Sequence, residues 1–187
     1  MMRRLSFALV LIAGPLAAQD FSENSEAKTW NLYGEVPARF EAKVVDMLCE
    51  ITGECAEDCG GGTRQIGLLR SADNKLILPM KNSQPAFTGA ASELAPFCNQ
   101  IVEVDGLMIV DEDFPINNVY LVQRIKAEGA DWIKANTWTK KWAQRHPDAK
   151  GKGPWFRRDP RVKAIIAKEG YLGLGLEADE TYAEENF

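Results

Sequence analysis

The chain has 187 residues, with 22 Lys and Arg against 27 Asp and Glu and one His, so it carries a net charge of −5 at neutral pH. An acidic balance gives no basic footprint for nucleic acid. A single His, with no G-x-S-x-G, H-E-x-x-H or Walker-type run anywhere, leaves no motif for hydrolytic or nucleotide chemistry.

Met1-Met2-Arg3-Arg4 makes a short cationic start, Leu5 to Ile12 an apolar run, and Gly14-Pro15 a break before Leu16-Ala17-Ala18. That layout is expected of a cleaved secretory signal peptide over residues 1–18, with the cut near Ala18. The run is too short for a spanning helix, which takes roughly 20 apolar residues. Export places the remainder, Gln19 to Phe187, in an extracytoplasmic and most simply periplasmic space. Arg3 and Arg4 leave with the signal, so the mature balance is 20 basic against 27 acidic residues, a net −7. No second long apolar segment follows, so no membrane span is expected after cleavage.

Residues 19–36 read as a polar leader, mobile over Gln19 to Thr29, with Trp30, Leu32 and Tyr33 beginning to look packed. Phe40, Ala42 and Val44 alternate with Glu41 and Lys43, the period of a half-buried strand, and Val44-Val45 breaks the alternation as a bend would. Gly60-Gly61-Gly62 connects to a second strand over Gln65 to Arg70, and Ser71-Ala72-Asp73-Asn74 supplies turn chemistry. Leu76 to Met80 makes a third strand, and Ala90 to Phe97 a short helix. Val102 to Val110 makes a fourth strand kinked at Gly106, and Val119 to Ile125 a fifth. Asp111-Glu112-Asp113 and Asn117-Asn118 mark the hairpin between them.

The passage Glu93 to Leu107, a short helix and then Val102-x-Val104-x-Gly106, resembles the helix-to-fourth-strand step of OB-fold proteins. Three strands, a helix and two strands is the OB order, a five-stranded Greek-key barrel. The resemblance covers residues 37–128 and implies an α+β, mainly β, fold. It carries no function with it.

Residues 129–187 are expected to form a helical, Trp-rich C-terminal extension with an acidic tail. Trp138 and Trp142, four apart, share a face of a helix ending at His146-Pro147. Asp159-Pro160 opens a second helix that stops at Gly170. These aromatics are expected to build core more than a ligand platform. Arg157, Arg158 and Arg161 beside Trp155-Phe156 form a local basic and aromatic spot.

Cys49, Cys55, Cys59 and Cys98 are an even set in an oxidising compartment, so two disulfides are expected. On OB topology Cys49 closes the first strand and Cys98 precedes the fourth, its neighbour. The expected pairs are therefore Cys49–Cys98 and Cys55–Cys59. A thiol-redox or copper role for Cys55 and Cys59, with Met47 or Met80 as soft ligands, is the competing expectation. No cofactor is implied.

The sequence thus points to a non-catalytic periplasmic binding or accessory module for a peptide, a glycan or a partner protein. OB barrels bind on the face of strands two and three, which selects Arg64, Gln65, Arg70 and Lys81 as its ligand face.

Overall fold

A computed structural model of the chain describes residues 20–31, 34–80, 89–111, 113 and 118–186. The segment 1–18 read as a signal peptide, with Leu32, Tyr33, Lys81, Glu112 and Asn117, lies outside the described residues.

The first strand, β1 (Glu35–Asp46), runs for 12 residues because its inward positions alternate and then merge at Val44, Val45 and Asp46. Its first part pairs with β4 (Ile101–Ile109) and its last part with β2 (Ile66–Arg70), both antiparallel. One continuous strand therefore serves both halves of the barrel, and its two pairings overlap at Ala42 and Lys43, just before Val44-Val45 breaks period two. A tight turn carries β2 into β3 (Leu76–Met80): the Arg70 amide donates to the Lys75 carbonyl, and Asn74 takes a positive φ of 54°. Val119–Ala127 forms β5, antiparallel to β4 and parallel to β3. The parallel pairing closes the order β3-β2-β1-β4-β5 into a ring. This is the OB arrangement.

Helix α2 (Gly89–Leu94) and a 3-10 turn (Ala95–Phe97) join β3 to β4, with Leu94 fully buried beneath the barrel core. Inside, Phe40 and Tyr120 rings meet at 4.8 Å among Val44, Leu68, Ile77 and Val104. The one buried hydroxyl of that group, on Tyr120, donates to the Ala38 carbonyl at 2.8 Å, so burying it leaves no donor unmet. The kink at Gly106 is a bulge between Asp105 and Gly106. A Cβ there would run into the Leu121 carbonyl, which is why only glycine fits.

Three elements escape the sequence pattern. Helix α1 (Met47–Thr52) leaves β1 at Asp46, whose carboxylate caps it by accepting from the Leu48 amide at 3.0 Å. A two-residue strand, β6 (Ile133–Lys134), adds to the outer edge of β5. Helix α5 (Leu176–Asn186) ends the chain.

The polar leader is pinned, not mobile. Asp105 is completely buried beside the bulge and accepts from Ser25 Oγ at 2.6 Å and from the Glu26 amide at 2.9 Å. Arg124 Nε adds a third donor to the same carboxylate at 2.8 Å. Lys28 exchanges two backbone hydrogen bonds with the Gln123 side chain, and Phe21 packs edge-on against Phe40. A buried carboxylate needs donors, and the leader supplies two of them.

The extension joins the barrel through helix α3 (Trp138–Arg145): Glu93 of α2 accepts from Thr137 Oγ1 at 2.7 Å and from Lys141 Nζ at 2.6 Å. Trp142 is buried, its indole donating to Asp159 at 2.8 Å, and Trp155 lies against both Trp142 and Trp138. His146 closes α3 with Nδ1 3.0 Å from the Trp142 carbonyl. Helix α4 (Pro160–Glu169) follows, N-capped by Asp159. The tryptophans make a small core, as the residue spacing implies.

Candidate functional site

The cysteine loop comes first. Two disulfides are present, but their pairing is Cys49–Cys55 and Cys59–Cys98, not the expected Cys49–Cys98 and Cys55–Cys59. The reason lies in α1. Strand β1 ends at Asp46, so Cys49 rides out on the helix and away from β4. The chain then turns back through Asp58 and Cys59, both at positive φ near 50°, and drives Cys59 into the core at 2% exposure. There it meets Cys98, which sits one residue before an amide that donates to the Val44 carbonyl. Cys55 and Cys59 therefore belong to different bridges and do not form a redox or metal-binding pair with each other. Cys55 is exposed and Cys49 half-buried, whereas Cys59 is buried.

The residues selected on β2 and β3 are spread along the strand and engaged within the fold. Arg64 stands just before β2 and pairs with buried Asp46 at 2.9 Å. Burial pushes the Asp46 carboxyl upward, but hydrogen bonds from Arg64 and from the amides of Cys49 and Leu48 outweigh it and hold the pKa below the usual range. Arg70, at the far end of β2, grips Asp73 through two hydrogen bonds of 2.8 and 2.6 Å. Its guanidinium lies 4.1 Å from the Phe21 ring centroid, beneath the leader. Gln65 donates to the Ile66 carbonyl. Arg64 and Arg70 thus spend their charge inside the molecule, and the structure does not gather the described three into one basic face.

The C-terminal hairpin is organised differently. Ten Lys and Arg against only Asp148 and Asp159 lie between Trp138 and Lys168, whereas α5 carries five carboxylates and no base. Between α4 and α5 runs Tyr171-Leu172-Gly173-Leu174-Gly175. Asp179 orders this loop from α5 by accepting from the Leu172 amide at 2.6 Å and the Leu174 amide at 3.2 Å. Its carboxylate also fills the space a Cβ at Gly170 would need. The loop is built, and it shows its apolar side chains outward: Tyr171 is 78% exposed and Leu174 62%.

Six of the thirteen large exposed apolar residues described fall between positions 165 and 182: Ile165, Tyr171, Leu172, Leu174, Leu176 and Tyr182. An open cavity of about 300 Å³ sits among them beside α5. Neither α4 nor α5 has a buried residue. The sequence reading treated this stretch as a helix stop and an acidic tail; the recurring Tyr, Leu and Leu between glycines was the signal it passed over.

Among the described residues no group of three or more His, Cys, Asp or Glu is gathered closely enough to hold a metal ion, and no helix is long and apolar enough to cross a membrane. Comparison with protein-family models, with characterised proteins and with solved structures finds no match to this chain.

Proposed function

We propose that this chain is an exported, non-catalytic accessory module of the periplasm, in which the barrel is a scaffold and the C-terminal hairpin docks a partner protein. One observation carries the reading: no residue of α4 or α5 is fully buried, yet they display a cluster of large apolar side chains on an ordered loop. An isolated helix shorter than about 12–15 residues is marginal in water, and most helices gain their stability by packing a face. No residue of the 11 in α5 is fully buried, and what the helix packs on among the described residues is α4 and the loop between them. Clustered exposed apolar side chains mark interaction surfaces more often than scattered ones do. The export half of the proposal rests on the layout of residues 1–18 and on the two disulfides.

A photo-crosslinking residue at position 174 tests it in producing cells. A defined polypeptide adduct is expected at 174 and none at Glu128, an exposed position on the barrel. No adduct at 174 contradicts docking there. The exported protein is expected to begin at or near Gln19, which N-terminal sequencing checks.

A second reading has its own observation. Cys49–Cys55 is the exposed bridge, so a small dithiol reaches it more readily than Cys59–Cys98. On that reading the protein handles thiol–disulfide exchange through Cys49 and Cys55. Graded reduction with differential alkylation should then open Cys49–Cys55 while Cys59–Cys98 stays closed, with a reduction potential near those of exchange proteins. A potential below about −300 mV, typical of structural disulfides, would leave the bridge structural.

A further inference from the structure

We infer that the occupant of the α4–α5 hairpin is a second copy of the same chain, packed across a two-fold axis. The inference rests on the docking reading above and names its partner.

Helix α4 presents Arg161, Lys163 and Lys168, and α5 presents Glu177, Glu180 and Glu184, all exposed. Opposite signs on adjacent helices invite pairing within the hairpin, yet among the described residues no ion pair joins α4 to α5. Arg161 turns to Asp159 of its own cap and Lys168 to neighbouring Glu169. The two charge sets flank the apolar loop on either side, one before it and one after it.

That arrangement is self-complementary. A two-fold interface uses the same patch on both subunits, so whatever faces α4 of one copy is α5 of the other. Rotation about an axis through the loop sets the cations of each α4 against the carboxylates of the opposite α5. It also brings the two sets of Leu172, Leu174 and Leu176 together at the centre, where burial drives association. The hairpin from Pro160 to Asn186 contains 27 residues, and a standard interface takes about 20–30 residues a side. An anionic membrane is a poorer fit, because the five carboxylates of α5 adjoin the apolar loop.

The test is sedimentation equilibrium of the full mature chain from about 1 to about 100 μM, the range where a standard interface assembles. A dimer is expected in the wild type. Leu174→Asp is expected to give a monomer with an unchanged near-ultraviolet spectrum. Two charge-reversal chains sharpen the result: one carries Lys163→Glu with Lys168→Glu, the other Glu180→Lys with Glu184→Lys. Each alone should weaken the dimer at least tenfold, and an equimolar mixture should restore it as a heterodimer, because each α4 then meets an α5 of opposite sign.

A wild-type monomer throughout the range overturns the inference, as does a dimer that survives Leu174→Asp. Monomers that bind anionic phospholipid vesicles through the loop overturn it in favour of a membrane. A monomer that still forms a 174 adduct with a different polypeptide overturns self-association and leaves the docking proposal standing; a monomer with no adduct ends both.

Discussion

The barrel and the C-terminal hairpin settle their surfaces in opposite ways. In the barrel, each prominent charge is answered from within: Arg64 by Asp46, Arg70 by Asp73, Arg124 by Asp105, and Glu103 by both Arg39 and Lys126. Its apolar faces close on themselves because β3 reaches β5 and leaves no open edge between them. In the hairpin, no ion pair among the described residues joins the cations of α4 to the carboxylates of α5, and the leucines face out. A closed ring completes its own hydrogen bonds and core; two short helices on a loop do not. On the docking proposal, the contrast separates the part of the molecule that folds for itself from the part that meets a partner.

Removing supports from the barrel should therefore cost far more than altering the hairpin. The largest effect is expected from Cys59→Ser with Cys98→Ser. This bridge spans 39 residues, and the chain-entropy relation assigns such a loop about 4 kcal/mol. Urea unfolding should show that loss. Asp105→Ala comes next, at about 3 kcal/mol, since it strands the partly buried Arg124 and releases Ser25 and Glu26 together. Proteolysis within residues 20–31 should accelerate in that variant, which a surface charge change would not produce.

The Trp core joins the two regions and is the intermediate case. Burial pushes the Asp159 carboxyl up, but the Trp142 indole and the Arg161 and Val162 amides donate to it and lower its pKa from 3.8 to about 2. A carboxyl depressed on folding stabilises fully above 3.8 and loses that contribution as pH falls through about 2. Trp142→Phe removes one donor, so it should destabilise by about 1–2 kcal/mol at neutral pH. It should also flatten the fall in stability between those two pH values. The smallest effect belongs to Leu174→Asp, within about 0.5 kcal/mol for the isolated chain, because its side chain touches little within the protein. A loss of several kcal/mol there would place Leu174 in the chain's own core and remove the contrast.

The barrel was largely legible from sequence because β1 carries a period-two record of its buried face, β4 begins with one, and turn residues bound the short apolar runs of the other strands. Phe40, Ala42 and Val44 declare an inner face, and Gly106 declares a bulge, without reference to anything distant. The same local reading put the helix boundaries at Arg145, Pro160 and Gly170 close to where they fall. What depended on distant partners was harder to see. The leader looked mobile because its polar residues gain meaning only beside Asp105, some 80 positions away. The disulfide pairing failed on one short helix, α1, whose six residues redirect Cys49 and leave Cys98 to Cys59. Of the basic residues expected on a ligand face, Arg64 pairs with Asp46, 18 positions away, and Arg70 with Asp73 in the adjoining turn, partners that strand periodicity does not mark. The hairpin escaped for a related reason: leucines between glycines look like a loop, and only the fold shows that among the described residues Leu172 and Leu174 stay exposed.

Amide hydrogen exchange on the dilute chain tests the central contrast most directly. The account predicts strong protection across β1, β2, β4 and β5, together with exchange through α5 close to the rate of an unstructured peptide. Protection of α5 at the level of the barrel strands, at concentrations where the chain is alone, would contradict it.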